Sequence, residues 1–378
     1  MLAVAPGRHC ENHDPKQRSG ATSGSRAAAE AATTAPACDL KKVEVIEHRR
    51  RTALGEELVT RYVKGRLLGK GGFAKVYLVT TEDTHQHYAM KVVPRSLLTK
   101  RRAKDKLRTE IKIHRSIAHP RVVRFHAYFE DADNVYILLE LCTNGTLSEL
   151  MRRRRRFDAA EARKYMLQML EAVHYCHRHG IIHRDLKLGN LFLDGAWDIK
   201  MGDFGLAAKV TGDDARRKTI CGTPNYIAPE ILEGSGTGHS YQVDVWSMGV
   251  VLYTMLVGRP PFESRDVKST YRRILQNVYA FPEGTAVSED AKGLVRCMLQ
   301  TAPDQRPTLE EILNHPFLRD GGAARSFNTT YTLRPEPSSG GAAAAAAAAA
   351  ACASASRQLR SGAAATCGAA AAPAPAPR

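Results

Sequence analysis

The spacing of hydrophobic and polar positions changes midway along the chain. Between residues 62 and 93, short β-branched and aromatic runs alternate with polar residues, as in Tyr88–Val93, which is typical of strands. From Ser96 to Ile117, apolar residues recur at helical spacing among charges. Two further runs, Val122–Phe129 and Val135–Leu141, predict the remaining strands of a small sheet.

Helical patterns dominate after residue 142. Asp158 and Glu161 form a capping-box-like start to a predicted helix whose apolar residues recur every three or four positions up to Gly180. The run Val243–Val257 is apolar on all sides, so we expect a core helix there. The sequence therefore predicts an α+β fold with two lobes around a cleft. The smaller lobe is an antiparallel sheet with one key helix (about 62–141), and the larger lobe is mainly α (about 142–318).

The segments outside residues 62–318 have a different composition. We expect residues 1–61 to be a disordered extension and residues 319–378, which include the run Ala342–Ala351, to be a low-complexity tail. The Arg and Ser content of the N-terminus permits a mitochondrial-transit interpretation, but Glu11, Asp14 and Glu30 oppose it.

Composition places the protein inside the cell. Hydrophobic residues make up 43% of the 378 residues, which allows a sizeable core and excludes wholesale disorder. The eight cysteines form no CxxC pair, which indicates a reducing compartment. No signal peptide or membrane span is apparent. The net charge of +16, mostly from residues 62–318, favours acidic or phosphate-bearing partners.

A glycine-rich run, Gly69–Val76, is the first motif that carries chemistry. Glycines let the backbone approach phosphate oxygens, although an ordinary hairpin turn has the same composition. The residues after it read as a strand, whereas a dinucleotide-binding fold needs a helix there. The spacing to Lys70 also excludes a Walker-type P-loop.

Two charged residues follow the glycine run. Lys91 lies at the end of a predicted strand, and Glu110 lies nineteen residues later in the predicted helix. Phosphoryl transfer requires a cation on the α and β phosphates, and a helix carboxylate can orient that lysine. Either residue alone is more simply a solvated surface group, but beside the glycine run they form a candidate pair.

The strongest signal is His183-Arg184-Asp185 with Asn190, followed by Asp203-Phe204-Gly205. One Asp can accept the proton of a hydroxyl nucleophile, while Asn190 and Asp203 offer oxygen ligands for magnesium. Scattered loop carboxylates do not explain these identities at these spacings. Further matches complete the set: Ala228-Pro229-Glu230, Asp244 with Trp246, and Arg306.

Residues 62–318 thus resemble the eukaryotic protein kinases, and the segments GKGGFAKVY, RDLKLGN, GDFGLAAK and KTICGTPNYIAPE resemble the polo-like kinases. Ala74 stands at the position of the third glycine, which is part of that subfamily's pattern. The resemblance implies ATP and Mg²⁺ as cofactors and a role in cell-cycle or stress signalling. It also implies a location in the nucleus or cytoplasm, with the centrosome or nucleolus as narrower options.

The resemblance also implies residue roles. Asp185 is the catalytic base, Lys187 contacts the γ phosphate, and Lys91 with Glu110 forms the ion pair. Asn190 and Asp203 are the metal ligands, and Lys187 together with Thr223 marks Ser/Thr specificity. The nucleotide site would comprise Leu68, Gly69, Lys70, Gly71, Gly72, Phe73, Ala74, Lys75, Val76, Lys91, Glu140, Cys142, Lys187, Asn190 and Asp203.

Thr219 occupies the family's activation-loop phosphorylation site. Arg184 precedes the predicted base, and basic residues crowd the same loop, so a phosphate on Thr219 would pair with arginine and order the segment. The alternative is an unmodified loop threonine. An upstream kinase acting on Thr219 is therefore an expected partner, beside protein substrates whose Ser or Thr is flanked by acidic residues.

The segment after residue 318 departs from the family pattern. Polo-like kinases carry C-terminal polo boxes, and we expect none here because this segment is short and has few aromatic residues. The alternative function is a catalytically idle or truncated kinase-fold scaffold that acts by protein binding. The basic runs Glu47–Arg51 and Arg152–Arg156 are more simply solvated surfaces than nucleic-acid sites, and they lack interleaved aromatic residues.

Overall fold

The computed structural model describes residues 44–52, 54–210, 222–234 and 240–335. Within them lie ten strands, nine α-helices and four short 3₁₀ helices, the latter at Arg95–Leu98, Leu188–Asn190, Pro224–Tyr226 and Pro303–Gln305. The strands gather at the N-terminal side and the helices at the C-terminal side, which confirms the predicted α+β architecture of a small sheet lobe and a larger helical lobe.

The N-terminal lobe is one antiparallel sheet with the strand order β1-β2-β3-β4-β6-β5. Aromatic and aliphatic side chains on one face, among them Val79, Met90 and Phe129, form its small buried cluster. The strands are β1 (Val45–Arg51), β2 (Glu57–Lys70), β3 (Lys75–Thr81), β4 (His87–Pro94), β5 (Phe125–Glu130) and β6 (Asn134–Leu139).

The start of the sheet corrects the predicted N-terminal boundary. Strand β1 and the first part of β2 lie before residue 62, in the segment predicted to be disordered. Ile46 is buried, and the ring of His48 stacks on that of Phe129 with centroids 4.3 Å apart. The arginine run in β1 conceals the alternation of buried and exposed positions from sequence reasoning. Few positions of this strand are buried, and the side chains that cover them come from other strands.

A single long helix, α1 (Arg101–Ser116), packs against the sheet. Its first turn has no side-chain cap and no acidic residue, and its buried residues, Ile113 and His114, lie in its last turn. The attachment of α1 to the protein is therefore concentrated at its C-terminal end.

The C-terminal lobe is built around helix α5 (Gln242–Val257), of which fourteen residues are buried. This confirms the predicted core helix. The other helices are α2 (Leu147–Arg154), α3 (Ala159–Arg178), α4 (Pro229–Glu233), α6 (Val267–Leu275), α7 (Glu289–Met298), α8 (Leu309–Leu313) and α9 (Pro316–Arg319). Two short antiparallel pairs, β7 (Ile181–Ile182) with β10 (Ala208–Lys209) and β8 (Leu191–Leu193) with β9 (Ile199–Met201), frame the loops that face the cleft.

Residues 322–335, named here the C-terminal strap, correct the other predicted boundary. The strap follows α9 and packs against the helical lobe, although it lies in the segment predicted to be a low-complexity tail. Phe327, Tyr331 and Leu333 contact the core of that lobe. Three apolar side chains are enough to attach the strap, because each packs against a surface that the lobe already forms. Composition alone does not reveal this packing.

Across the described ranges, no helix has the length and apolar character needed to cross a membrane.

Candidate active site

The glycine-rich run forms the turn between β2 and β3. Gly69 pairs with Val76 and Lys70 with Lys75, and the Gly71 amide donates to the Ala74 carbonyl at 2.8 Å. Phe73 lies near the tip and is 67% exposed. A Cβ placed on Gly69 or Gly72 would meet no atom within 4 Å, so packing within the chain does not require glycine at these two positions. The turn brings the predicted residues Leu68 to Val76 together.

Lys91 and Glu110 form the ion pair that the sequence predicted. Lys91 lies in the middle of β4 rather than at its end, and its Nζ is 2.5 Å from Glu110 Oε1 of helix α1. Asp203 Oδ1 lies 3.8 Å from the same nitrogen. The arrangement joins the sheet, helix α1 and the loop after β9 at one point.

The electrostatics of this cluster favour its charged forms. Burial of Lys91 would lower its pKa, but the carboxylates of Glu110 and Asp203 outweigh burial and raise that pKa. Burial likewise would raise the pKa of Asp203, yet the Lys91 ammonium and other nearby positive charge hold it below its usual value. Lys91 and Asp203 therefore both remain ionised at neutral pH.

Asp185 is 8% exposed and is held by several donors. Its Oδ2 accepts from Lys187 Nζ at 2.7 Å and from Asn190 Nδ2 at 3.1 Å. Its Oδ1 accepts from the amide and hydroxyl of Thr223, at 3.2 and 3.0 Å. Lys187 Nζ also donates to the Thr223 hydroxyl at 2.8 Å. Asp185 thus forms one hydrogen-bonded group with two nearby residues of its own loop, Lys187 and Asn190, and with Thr223, which lies 38 residues later.

Asp244 supports the loop from below. This completely buried carboxylate, at the start of α5, accepts from the backbone amides of His183 and Arg184 at 2.9 and 2.8 Å and from His177 Nε2 at 2.8 Å. Burial would raise its pKa, but the hydrogen bond and charge of His177 lower it. The sequence marked Asp244 only as part of a motif, and the structure shows that it holds the backbone in front of Asp185.

Arg184 adopts an uncommon backbone conformation, with φ of 64°. Its Nε donates to the Leu206 carbonyl at 2.6 Å, so this side chain lies beside the segment that follows Asp203-Phe204-Gly205. Thr219, which was predicted to carry a phosphate near Arg184, lies outside the described residues.

The segment linking the lobes contains Glu140 and Cys142. Glu140 points back into the protein, where its Oε2 accepts from the Arg124 amide at 3.0 Å and its Oε1 pairs with Lys200 at 2.9 Å. Cys142 is half-buried, and burial with the Glu140 charge raises the pKa of its thiol to about 12. The thiol is therefore neutral at physiological pH, and the Glu140 side chain is engaged in structure.

Sequence reasoning missed His114. It lies on α1 four residues after Glu110 and therefore on the same face of the helix, which was the available signal. Its Nε2 donates to the Val123 carbonyl at 2.7 Å, and its ring contacts Phe204 with centroids 4.8 Å apart. His114 thus connects α1 to the residue after Asp203.

Two lobes, a glycine-rich turn, a lysine–glutamate pair and a held aspartate define a protein kinase. The family model described as protein kinase domain matches residues 62–318, and the chain belongs to this family. The predicted resemblance to polo-like kinases is also confirmed, because the curated relatives carry those names.

The relatives match the catalytic region at high identity. The chain is 50% identical over 309 residues to the probable serine/threonine-protein kinase CCRP1 of Zea mays (82% of this chain, 49% of the relative). It is 54% identical over 256 residues to the probable serine/threonine-protein kinase PLK of Dictyostelium discoideum (68% and 26%). It is 48% identical over 270 residues to the serine/threonine-protein kinase PLK1 of Xenopus laevis (71% and 44%). The chain spans about half or less of the length of these relatives.

Proposed function

We propose that the protein is a polo-type serine/threonine kinase that transfers the γ-phosphoryl group of Mg-ATP to Ser or Thr hydroxyls of proteins. The observation that carries the proposal is that carboxylate oxygens of Glu110 and Asp203 lie 2.5 and 3.8 Å from Lys91 Nζ, and that Lys91 pairs with Val76 on the strand that follows the glycine-rich turn. Phosphoryl transfer depends on positioning and charge stabilisation, and this cluster supplies both.

The residues present fit a nucleotide. Gly69 and Gly72 leave open space where a side chain would project, which suits close approach of phosphate oxygens to the backbone. Lys91 remains charged and is oriented by Glu110, so it can bind the α and β phosphates. The adenine would lie against the backbone of Glu140 and Cys142, in keeping with a Glu140 side chain that points away into the protein.

The residues also fit magnesium held jointly with the nucleotide. No group of three or more His, Cys, Asp or Glu residues in the described ranges forms a metal site on its own. Asn190 and Asp203 offer an amide and a carboxylate oxygen, and Mg²⁺ is commonly bound by one or two such ligands plus substrate phosphates. When bound, the ion would neutralise charge that develops on the phosphates.

Asp185 is the group that we assign to the acceptor hydroxyl. It would orient this hydroxyl and accept its proton, while Lys187 binds the γ phosphate and holds the Asp185 carboxylate by a 2.7 Å contact. Thr223 fixes the other carboxylate oxygen and belongs to the site proposed for the Ser/Thr substrate.

Regulation and partners extend the proposal. Phosphorylation of Thr219 by an upstream kinase would add negative charge that pairs with Arg184 and orders the loop. Protein substrates with acidic residues near the acceptor suit the net positive charge of the chain. We place the protein in the nucleus or cytoplasm by analogy with polo-like kinases, with the centrosome or nucleolus as narrower options.

The test compares wild type with Asp185→Asn in a phosphate-transfer assay on an acidic Ser/Thr peptide. Loss of a positioned proton acceptor should lower kcat by about 10²- to 10⁴-fold. Asp304→Asn, an exposed Asp on a 3₁₀ helix away from the cleft, is the matched control and should retain wild-type kcat. Equal rates for wild type and Asp185→Asn would assign the activity to a contaminant. Mg-ATP binding with no transfer by wild type would favour the scaffold alternative.

A further inference from the structure

The C-terminal strap crosses the helical lobe along α3. At its start, the Arg325 amide donates to Asn314 Oδ1 at 2.9 Å. The ring of Phe327 then stacks on His174 of α3, with centroids 3.9 Å apart and planes 6° from parallel. Arg178, at the end of the same helix, donates to the Thr329 carbonyl at 2.5 Å. The strap is therefore fixed to the larger lobe at three successive points.

The far end of the strap contacts the smaller lobe. The Arg334 amide donates to the carbonyl of Ser116, the last residue of α1, at 2.7 Å. Arg334 Nη1 donates to the carbonyl of Phe125, the first residue of β5, at 2.8 Å. One residue thus connects the end of α1 to the sheet.

Tyr175 joins these two ends. Its hydroxyl accepts from the Ala118 amide at 2.9 Å and donates to the Thr332 carbonyl of the strap at 3.1 Å. His119 lies between two tyrosines, with centroids 4.9 Å from Tyr175 and 4.7 Å from Tyr331. Ala118 and His119, which follow the end of α1, are therefore held between α3 and the strap.

These contacts bear on the Lys91–Glu110 pair because of where α1 is attached. Glu110 lies six residues before Ser116, about 9 Å along the helix axis. The first turn of α1 has no side-chain cap, and its buried residues lie in its last turn. A shift or rotation at the C-terminal end of α1 therefore displaces the Glu110 carboxylate, since a helix moves as a rigid rod over this length.

We propose that the C-terminal strap is a positioning element for the active site: through Arg334 and Tyr331 it holds the end of α1 so that Glu110 orients Lys91. We call Arg334 and Tyr331 positioning residues because they would act through their contacts with Ser116, Phe125 and His119 rather than on the nucleotide itself. The proposal rests on the proposed kinase function, since it assigns the strap to the pair that binds nucleotide phosphates.

The first experiment measures phosphate transfer and the dissociation constant of Mg-ADP for full-length Arg334→Ala and Tyr331→Ala. Arg334→Ala keeps the backbone bond to Ser116 but removes the side-chain bond to the Phe125 carbonyl, so the end of α1 is no longer tied to the sheet. Tyr331→Ala removes the ring contact with His119. Either loss should weaken Mg-ADP binding and kcat/KM by about five- to tenfold. Arg325→Ala is the matched control, because the Arg325 contacts with Asn314 use only its backbone. Arg334→Lys keeps an N–H donor and should recover much of the loss.

A double-mutant cycle separates positioning from a general loss of stability. In a Glu110→Gln background, Arg334→Ala should change the Mg-ADP dissociation constant by less than twofold, because the strap acts through Glu110. The same fold-loss in both backgrounds would overturn the proposal. The dissociation constant of Mg-ADP can be measured even if wild type transfers no phosphate. Absence of transfer would reject the proposed kinase activity, and the role of the strap could still be tested by binding.

Amide hydrogen exchange gives a second, independent measurement. Arg334→Ala should speed exchange in α1 and at Ala118, whereas exchange in α5 should stay as in wild type. If Arg334→Ala and Arg325→Ala give the same exchange in α1, the strap does not hold this helix and the proposal fails.

Discussion

The two lobes hold their functional side chains in different ways. In the helical lobe, Asp185 lies on a loop whose backbone is tied to the buried Asp244, and α5 below it is almost entirely buried. In the sheet lobe, Lys91 and Glu110 are fixed mainly by each other, on a strand and on a helix anchored at one end.

The contrast shows that one site combines a carboxylate held by several hydrogen bonds with an ion pair held at fewer points. Buried polar anchors with several hydrogen bonds have few alternative arrangements, so the helical lobe presents Asp185 in a defined geometry. The Lys91–Glu110 pair joins a strand to a helix, and each of these elements is attached to the protein separately. The geometry of the pair therefore depends on where α1 is held. Substitutions in the helical lobe should therefore affect folding most, and substitutions at the ion pair should affect activity most.

The largest expected effect is on stability in the helical lobe. Arg306 is 3% exposed and forms a two-point ion pair with Glu230 at 2.8 and 2.7 Å. Arg306→Ala leaves an uncompensated buried carboxylate and should lower the free energy of unfolding by about 3–5 kcal/mol. Urea denaturation measures this loss. Arg265→Ala, on an exposed residue before α6, should change it by less than about 0.5 kcal/mol.

A comparable cost for both arginines would show that the helical lobe does not depend on its buried polar anchors.

Substitution in the ion pair of the sheet lobe should lower activity strongly and stability only a little. Lys91→Met removes the cation assigned to the phosphates and should lower kcat/KM by about 10²- to 10³-fold, as when one electrostatic donor is lost. Its melting temperature should fall less than that of Arg306→Ala, because the side chains of Lys91 and Glu110 are 20% and 12% exposed, whereas those of Arg306 and Glu230 are 0% and 6% exposed. Peptide phosphorylation and thermal unfolding of the same preparation measure both quantities.

Lys64→Met, on a lysine of β2 that pairs with Glu44, is the control and should keep full activity. Strong destabilisation by Lys91→Met with little loss of activity in the folded fraction would reverse the comparison.

The smallest effect concerns acid sensitivity at the contact between α1 and the sheet. Burial lowers the pKa of His114 to about 4, and the nearby Lys91 charge adds to this shift. The unfolded chain therefore binds a proton more readily than the folded protein between pH 6.5 and 4, so stability falls as pH falls through this range. At pH 5.5 the loss from His114 is on the order of 1 kcal/mol.

Unfolding of wild type and His114→Gln at pH 7.5 and 5.5 measures this contribution. The variant should lose less stability on acidification, whereas His87→Gln, at the exposed start of β4, should lose as much as wild type. Equal acid sensitivity of the wild type and His114→Gln would show that His114 does not stay neutral in the folded protein.

Much of the candidate site was predictable because its residues lie in local motifs. Lys91, Glu110, Asp185, Asn190 and Asp203 are identifiable from residue type and spacing, and Lys91, Glu110 and Asp203 meet as expected. The core helix was predictable because an apolar run of that length has no exposed face. Strand β1 was not, because its basic residues give no clear alternation and its burial comes from Phe129 on another strand.

The sequence by itself determined the two-lobed kinase architecture and pointed to the candidate residues at the cleft, since periodicity and motif spacing are local properties of the chain. Only the tertiary structure decided that Asp244 supports the backbone before Asp185 and that the strap reaches from His174 to the end of α1. These contacts join residues 60 or more positions apart. Their partners are set by packing of whole elements, so no short stretch of sequence encodes them.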